Sequence, residues 1–285
     1  MPELPEVTAL AGALAEHLTA ATVESLSMRS VAALKTFDPP LDALRGRVVT
    51  GCTRHGKFLD LQLDPLHLVV HLARAGWLRL VERETTARPS LRGPLVMVVG
   101  FRDGRSLQIT EQGTEHRLAI YVVRHPNDVP GIARLGPDAL DGSLTPEALG
   151  GLLRSRPGNV KAALADQSLI AGIGNAYSDE ILHATRMSPF RSNAALTDDE
   201  IAALHDAMSA VLRDATAAAR DGAPTRLKQE KRLRMRVHGR TGQACPICGD
   251  VVRQVALASR SFQYCATCQT GGKIYADRRM SKLLR

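Results

Sequence analysis

The 285-residue sequence has no run of roughly 18 consecutive apolar residues, the length that a membrane-spanning helix needs. Its opening, MPELPEVTAL, lacks the cationic segment that begins a secretory signal peptide. Internal repeats and low-complexity tracts are also missing, apart from an Ala-rich stretch near residues 215–219. These absences argue against a membrane protein, and we expect a protein that works in the cytoplasm.

Acidic residues are scarce near the C-terminus. Residues 226–285 contain three Asp or Glu against fourteen Lys or Arg, a net charge of +11, whereas the rest of the chain carries −3. Such an asymmetry indicates a polyanionic partner, most commonly nucleic acid, although a solubilising surface has the same composition. An anionic membrane is disfavoured because the segment has no amphipathic helix with a large apolar face.

Short segments with strand periodicity dominate the chain up to about residue 125. In KFLDLQL (57–63), Leu59, Leu61 and Leu63 share one face, which predicts a half-buried strand. Four more segments, separated by turn residues, suggest a β-sandwich; they are 66–82, 95–101, 106–110 and 118–123. The Pro-, Gly- and Asp-rich residues 124–142 are typical of a linker.

Helical patterns follow the linker. Thr145 and Pro146 form a helix start, and Thr197 with Glu200 forms the capping box of a long helix near 197–221. Shorter helices are predicted at 159–167 and 174–185. A separate helical domain is the simplest interpretation of this region.

Two Cys-x-x-Cys pairs are the most specific signal in the chain: Cys245, Cys248, Cys265 and Cys268. Four thiolates at this spacing can surround one zinc ion tetrahedrally, which is typical of a structural site. The residues between the pairs read as a β-hairpin too small to fold without metal. Disulfides fit poorly with an intracellular protein. The fifth cysteine, Cys52, is interpreted as a buried apolar filler.

The N-terminal Pro2-Glu3 pair can be read in two ways. Removal of Met1 exposes a proline imino group, whose pKa near 8 leaves a nucleophilic fraction at neutral pH. Glu3 and Glu6 lie one helical turn apart, so one carboxylate can exchange a proton with a substrate while the other orients the site. The same residue types are also common at helix starts, where they have no catalytic role.

A glycine-containing turn between two short helices, residues 167–175, is a candidate phosphate site. Its glycines permit close approach of the backbone, and Asn175 at the next helix start can bond to a phosphate. An ordinary helix-to-helix turn with a capping Asn has the same spacing. Lys161 either adds a cation to this site or lies in solvent.

Five segments together resemble the formamidopyrimidine-DNA glycosylase/endonuclease VIII family. They are PELPEV at the N-terminus, HGKF (55–58), LGPDAL (135–140), DQSLIAGIGNAYSDEIL, and CPICG with RSFQYCATCQ. The resemblance implies an α+β, multidomain fold: a catalytic two-layer β-sandwich (1–125), a helical domain with a helix-two-turns-helix element (135–225) and a zinc β-hairpin (240–285). It further implies that damaged DNA binds in the cleft between these parts.

The resemblance also implies roles for matching residues. Pro2 would be the nucleophile that forms a Schiff base, Glu3 the general acid and Glu6 a supporting carboxylate. Lys57 would hold a phosphate beside the lesion, while Asn175 and Arg260 would hold neighbouring phosphates. One structural Zn²⁺ is implied, and no catalytic metal.

Two departures bear on the substrate. Family members that act on oxidised purines usually have methionine in HLGMSG, where this chain has HLARAG with Arg74. Their Arg-Phe pair is replaced here by TEHRLAIY (114–121), which contains Arg117. Both changes favour the endonuclease VIII branch and oxidised pyrimidines, with Arg74, Ala75 and Arg117 as candidates to fill the space of the flipped base. An exposed loop arginine without that role fits the same residues.

Two other functions fit part of the sequence. A protein that binds lesions or abasic sites without cutting would keep the zinc and phosphate contacts but need no Pro2 nucleophile. A zinc-ribbon transcription or RNA-binding module would leave the N-terminal half unexplained. We expect a monomer, associated with the nucleoid.

Overall fold

The computed structural model describes residues 1–82, 94–257 and 260–275. They form two compact units, Met1–Arg134 with Ala219–Arg226, and Leu135–Ala218 with Leu227–Arg285. The predicted helical segment and zinc hairpin therefore share the second unit, and their separation into two domains stays a prediction. Among the described residues, no helix has the length and apolarity needed to cross a bilayer.

The described part of the first unit contains an N-terminal helix and two antiparallel sheets. The elements are α1 (Leu4–Leu18), β1 (Val23–Met28), β2 (Gly51–His55), β3 (Phe58–Leu63), β4 (Leu66–His71), β5 (Gly76–Val81), β6 (Leu95–Phe101), β7 (Ser106–Glu111) and β8 (Ala119–Val123). The sheets have the strand orders β1-β6-β7-β5 and β2-β3-β4-β8, so the predicted two-layer β-sandwich is confirmed. Single 3-10 turns lie at Val31–Ala33, Leu41–Leu44 and Pro126–Asp128.

In strand β3, the sequence alternation predicted the buried leucines correctly but did not predict that Asp60 is buried as well. Leu59, Leu61 and Leu63 are at most 3% exposed, as the alternation predicts. Asp60, on the opposite face, is also fully buried, because its carboxylate lies 3.1 Å from His55 Nε2 and 2.9 Å from His67 Nδ1. A strand that alternates in sequence is therefore buried over most of its length.

The described part of the second unit is mainly helical and contains a β-hairpin. Its elements are α2 (Pro146–Arg154), α3 (Val160–Leu164), α4 (Asn175–Ala184), a 3-10 turn (Asn193–Ala195), α5 (Asp198–Asp221), α6 (Leu227–Arg234), β9 (Val252–Leu257), β10 (Arg260–Cys265) and α7 (Ala266–Thr270). The last three residues of α5 belong to the first unit. Both predicted helix starts are confirmed. Thr145 accepts from the Ala148 N–H at 3.3 Å, and Thr197 and Glu200 cap each other at 2.9 and 3.2 Å.

Helices α6 and α7 were not predicted from the sequence. The α6 segment, LKQEKRLR, is so rich in charge that only Leu227 is buried, and it has no apolar stripe to detect. The five-residue α7 is too short for a periodic pattern and ends at Gly271, whose φ of +59° suits glycine.

Candidate active site and nucleic-acid interface

The start of α1 buries two carboxylates next to Pro2. Glu3 is the N-cap of the helix; its N–H donates to Glu6 Oε2 at 2.8 Å, and its carboxylate accepts from the Glu6 main-chain N–H. Pro2 is buried, and Glu3 and Glu6 are each 2% exposed. The predicted cap and the predicted pair of acids are therefore the same structure, with Glu6 holding Glu3 in place.

Met1 still precedes Pro2 in the chain and is 46% exposed. While Met1 is attached, the Pro2 nitrogen is a tertiary amide, and its lone pair is delocalised into the peptide bond. Nucleophilic chemistry at this position consequently requires that Met1 be removed.

Lys57 lies in the turn between β2 and β3 and is 6% exposed. Arg54 ties this turn to α1, because its Nε donates to Thr8 Oγ1 and its Nη1 to the Gly56 carbonyl, both at 2.9 Å. Gly56 has a φ of +54°, a conformation that favours glycine. The HGKF turn is thereby fixed to the helix that carries Glu6.

His71 lies near Lys57 and was not among the residues predicted from the sequence. Burial, with the charge of Lys57 as a second cause, lowers the pKa of His71 to about 4, so its imidazole is neutral at pH 7. The ring packs against Phe58 with centroids 4.6 Å apart, across the β3–β4 register pair. The initial histidine of HLARAG was the available signal, but nothing in the pattern distinguished it from a strand-end residue.

The two loops that replace the family pattern lie side by side. The Gln112 N–H donates to the Ala75 carbonyl at 3.3 Å, and Glu115 pairs with Arg74 at 3.6 Å and with Arg117 at 3.5 Å. Both arginine side chains are 69% exposed. Arg74, Ala75 and Arg117 thus lie close together at the surface, and the role predicted for them stays a prediction.

In the second unit, a single glutamine closes the predicted phosphate turn. Gln167 Nε2 donates to the Ile173 carbonyl at 2.6 Å, and Gln167 Oε1 accepts from the Gly172 N–H at 3.0 Å. Gly172 has a φ of +103°, which explains the need for glycine. Asn175 is half-buried and is the first residue of α4.

The LGPDAL motif supports this turn from the side. The Ala171 N–H donates to the Pro137 carbonyl at 2.8 Å, and the Gly136 N–H donates to the Gln167 carbonyl at 2.9 Å. A methyl group on Gly136 would lie 2.4 Å from the Leu169 carbonyl oxygen, so the close approach requires glycine.

The position of Lys161 corrects the expectation that it contacts phosphate or lies in solvent. Its side chain is 1% exposed and forms an ion pair with Asp179, which is fully buried. The same ammonium donates to the Asn175 carbonyl at 3.2 Å. The hydrogen bond to the Asn175 carbonyl means that Lys161 supports the backbone of the turn from inside the protein. Its charge is neutralised by Asp179 and enclosed, so it is not available to a phosphate.

The four cysteines of the hairpin meet at one point. All four Sγ atoms lie within 4.8 Å of one another, with Cys245–Cys268 at 3.9 Å and Cys248–Cys265 at 3.3 Å. Thiolates placed tetrahedrally at about 2.3 Å from a zinc ion are separated by similar distances. The hairpin strands β9 and β10 pair in register from Leu257–Arg260 to Val252–Cys265, which confirms the predicted hairpin.

The fifth cysteine, Cys52, is 8% exposed in β2, and burial raises the pKa of its thiol to about 12, which fits an unreactive apolar filler.

Arg260 begins β10, but its side chain lies outside the described residues, as do the basic residues after Tyr275. Its phosphate contact stays a prediction.

Comparison with known proteins identifies the family. Residues 1–114 match the formamidopyrimidine-DNA glycosylase N-terminal domain, and residues 135–226 match the formamidopyrimidine-DNA glycosylase H2TH domain. A formamidopyrimidine-DNA glycosylase of Symbiobacterium thermophilum is 34% identical over 94% of this chain and 89% of its own. An uncharacterised formamidopyrimidine-DNA glycosylase-like protein of Mycobacterium tuberculosis is 54% identical over 53% of this chain and 94% of its own.

A solved structure gives the same result. The Lactococcus lactis formamidopyrimidine-DNA glycosylase, non-covalently bound to DNA with an abasic site, superimposes with a TM-score of 0.81 at 25% identity, covering 94% of this chain and 99% of that one. These matches do not separate the endonuclease VIII branch from the others, so the branch stays a prediction. The two domain matches and the similarity over nearly the whole length show that the chain belongs to the formamidopyrimidine-DNA glycosylase family of DNA-repair enzymes.

Proposed function

We propose that this protein is a bifunctional enzyme of base excision repair, which removes an oxidised base from DNA and then cuts the abasic strand by β,δ-elimination. The observation that carries the proposal is the buried start of α1, where Pro2 adjoins the carboxylates of Glu3 and Glu6. The family supports the glycosylase step. The lyase step rests on the imino group that Pro2 presents once Met1 is removed.

The proposed chemistry balances without a redox cofactor or catalytic metal. The Pro2 nitrogen attacks C1′ of a nucleotide flipped out of the duplex and loses its proton, the C1′–base bond breaks, and the departing base takes up a proton. Glu3 protonates the ring oxygen O4′, which opens the sugar and leaves an iminium between the proline nitrogen and C1′. The iminium draws electrons, so C2′ loses a proton and the 3′ phosphate leaves. Loss of a proton from C4′ then expels the 5′ phosphate, and water hydrolyses the imine to release Pro2.

The neighbouring groups fit this sequence of steps. Glu6 keeps the Glu3 backbone in its capped position through the 2.8 Å hydrogen bond, so Glu6 acts by positioning. Lys57 provides a positive charge for a phosphate beside the lesion, and the neutral His71 next to it can donate or accept a hydrogen bond. We propose that Asn175, Arg260 and Arg74 contact DNA as well.

We further propose that one structural Zn²⁺ binds Cys245, Cys248, Cys265 and Cys268. Four closely grouped thiols are the donor set that Zn²⁺ prefers in such hairpins. All four positions would be filled by protein, so the ion would stabilise the hairpin that carries Arg260 and would take no part in the reaction. The protein is expected to act as a monomer on nucleoid DNA.

Borohydride trapping tests the proposal. A labelled oligonucleotide with an abasic site is incubated with the protein and sodium borohydride, which reduces the imine to a stable amine. We expect a covalent protein–DNA adduct and, without borohydride, a strand cut with phosphate at both new ends. A duplex with tetrahydrofuran in place of the abasic sugar has no aldehyde and serves as the control. Binding without adduct would instead support the non-cleaving protein.

Oxidised pyrimidines are the proposed preferred substrates, because Arg74 and Arg117 replace the residues typical of purine-specific enzymes. Oxidised or ring-opened purines are the second candidate, which the names of the relatives favour. A panel of duplexes with thymine glycol, dihydrouracil, 8-oxoguanine or an abasic site decides between them. We expect base release from the two pyrimidines to be at least about tenfold faster than from 8-oxoguanine.

Substitution of Arg74 tests the loop cluster itself. We expect Arg74→Met to reduce the pyrimidine-to-purine rate ratio by about tenfold, because contacts in a lesion pocket discriminate by one to a few kcal/mol. Arg79→Met is the matched control, since Arg79 is an exposed arginine on β5 of the same unit. Equal ratios in both variants would remove Arg74 from the recognition of the lesion.

A further inference from the structure

Residues 227–236, which comprise α6 and the two residues after it, form an exposed cationic surface that we call the basic segment. It has five cations and one acid, Glu230. The side chains of Arg232, Arg234 and Arg236 are exposed to solvent. Within the described residues, most of the positive charge of the basic C-terminal region lies in this segment.

Two buried apolar side chains and one aromatic contact anchor the basic segment. Leu227 and Met235, at its two ends, are 2% and 5% exposed. Between them, Lys231 Nζ lies 4.4 Å from the ring centroid of Tyr177, a cation–π distance. The segment is thus held along its length, although its sequence has almost no apolar residues.

A buried carboxylate fixes the end of the segment. Glu180 is 5% exposed and accepts three main-chain N–H groups, from Arg236 at 2.7 Å, Val237 at 3.0 Å and His238 at 2.9 Å. Burial raises the pKa of Glu180, while the three hydrogen bonds favour its charged form. A carboxylate that satisfies three successive amides leaves the backbone little freedom at this point.

Tyr177 and Glu180 both belong to α4, the helix that begins at the predicted phosphate contact Asn175. Tyr177 is two residues from Asn175, and Glu180 is five residues from it, a rise of about 7.5 Å along the helix. The backbone of the basic segment is therefore attached to the first two turns of the helix at whose start a phosphate is expected.

We propose that the basic segment is an additional DNA-binding surface, in which Arg232, Arg234 and Arg236 contact backbone phosphates beside the one held at Asn175. This inference rests on the proposed function. Because the surrounding contacts already order the backbone, binding requires only the arginine side chains to become ordered. Arginine suits phosphate through its planar, bidentate guanidinium. The contact is to phosphate alone, so it does not depend on the lesion or on the base sequence.

Salt dependence of DNA binding tests this surface. The triple variant R232Q/R234Q/R236Q and the wild type are titrated with an undamaged duplex and with a tetrahydrofuran duplex at several salt concentrations. We expect the slope of log affinity against log salt to become shallower by about 2.7, since each phosphate contact contributes about 0.9. Affinity at 100 mM salt should fall by at least about tenfold on both duplexes.

Two further variants control for position and chemistry. R45Q/R47Q/R102Q removes three exposed cations of the first unit and should leave the slope within about 0.5 of wild type. R232K/R234K/R236K keeps the charge and should retain most of the slope. A change in the basic-segment variant no larger than that in the first-unit variant would overturn the proposal. If the triple variant does not fold, the single variants should each lower the slope by about 0.9.

Borohydride trapping and the salt dependence of binding report separately on the proposed enzymatic activity and on the proposed phosphate contacts of the basic segment. Borohydride trapping at saturating protein and low salt should be retained in the triple variant, because Pro2 and its neighbours are unchanged. If the wild type forms no adduct, the enzymatic proposal fails, but the slopes on undamaged DNA still decide whether the basic segment binds phosphates.

Discussion

Protein that keeps an extra residue on Pro2 is expected to form no adduct with abasic DNA, while the processed protein forms one readily. We compare processed protein with a variant that carries Gly-Ser ahead of Pro2. In the variant the proline nitrogen is an amide and cannot attack C1′. The rate of adduct formation should fall by at least about a thousandfold, as is usual when a nucleophile is removed. Mass spectrometry of the trapped peptide measures the site of attachment.

Affinity for a tetrahydrofuran duplex is the control for this experiment. Met1 is 46% exposed, so the structure accommodates a residue ahead of Pro2 without displacing α1. Binding should therefore stay within about threefold of the processed protein, a change of less than 1 kcal/mol. Adduct formation by the extended variant, attached to Lys57 or another lysine, would contradict the role of Pro2.

Loss of one hairpin cysteine is expected to abolish metal binding and most DNA binding. Cys265 is fully buried and packs with Val237 and Val252, so in Cys265→Ser an incomplete donor set lies inside a small core. We expect the zinc content to fall from about one ion per chain to nearly none. DNA affinity should fall by at least about a hundredfold, because a hairpin of this size depends on its metal to fold. Elemental analysis and fluorescence anisotropy measure the two quantities.

Cys52→Ser provides a matched control. It makes the same chemical change at a buried cysteine of the first unit, away from the four clustered thiols. Its metal content should equal that of the wild type, and any effect should be confined to stability. Full zinc content in Cys265→Ser, or unchanged DNA affinity in its metal-free form, would contradict the structural role of the site.

Much of the fold depends on short-range patterns, and these were readable in the chain. The alternation in β3 predicted which leucines are buried, and the pairs Thr145–Ala148 and Thr197–Glu200 define helix starts within a single turn. The hairpin was predictable because two Cys-x-x-Cys pairs impose their own geometry. Such features involve residues a few positions apart, so their physical basis is contained in the local sequence.

The sequence alone therefore determined the succession of a strand-rich region, a helical region and a hairpin, the four-cysteine cluster and the placement of Glu3 and Glu6 on one helical turn. Tertiary structure alone decided the surroundings of each charged group. It enclosed Lys161 against Asp179, lowered the pKa of His71 beside Lys57 and gave Glu180 three amides from a segment 56 to 58 residues away. The reason is that burial and charge pairing depend on which distant segments come into contact, and these contacts determine whether a cation meets DNA or supports the fold.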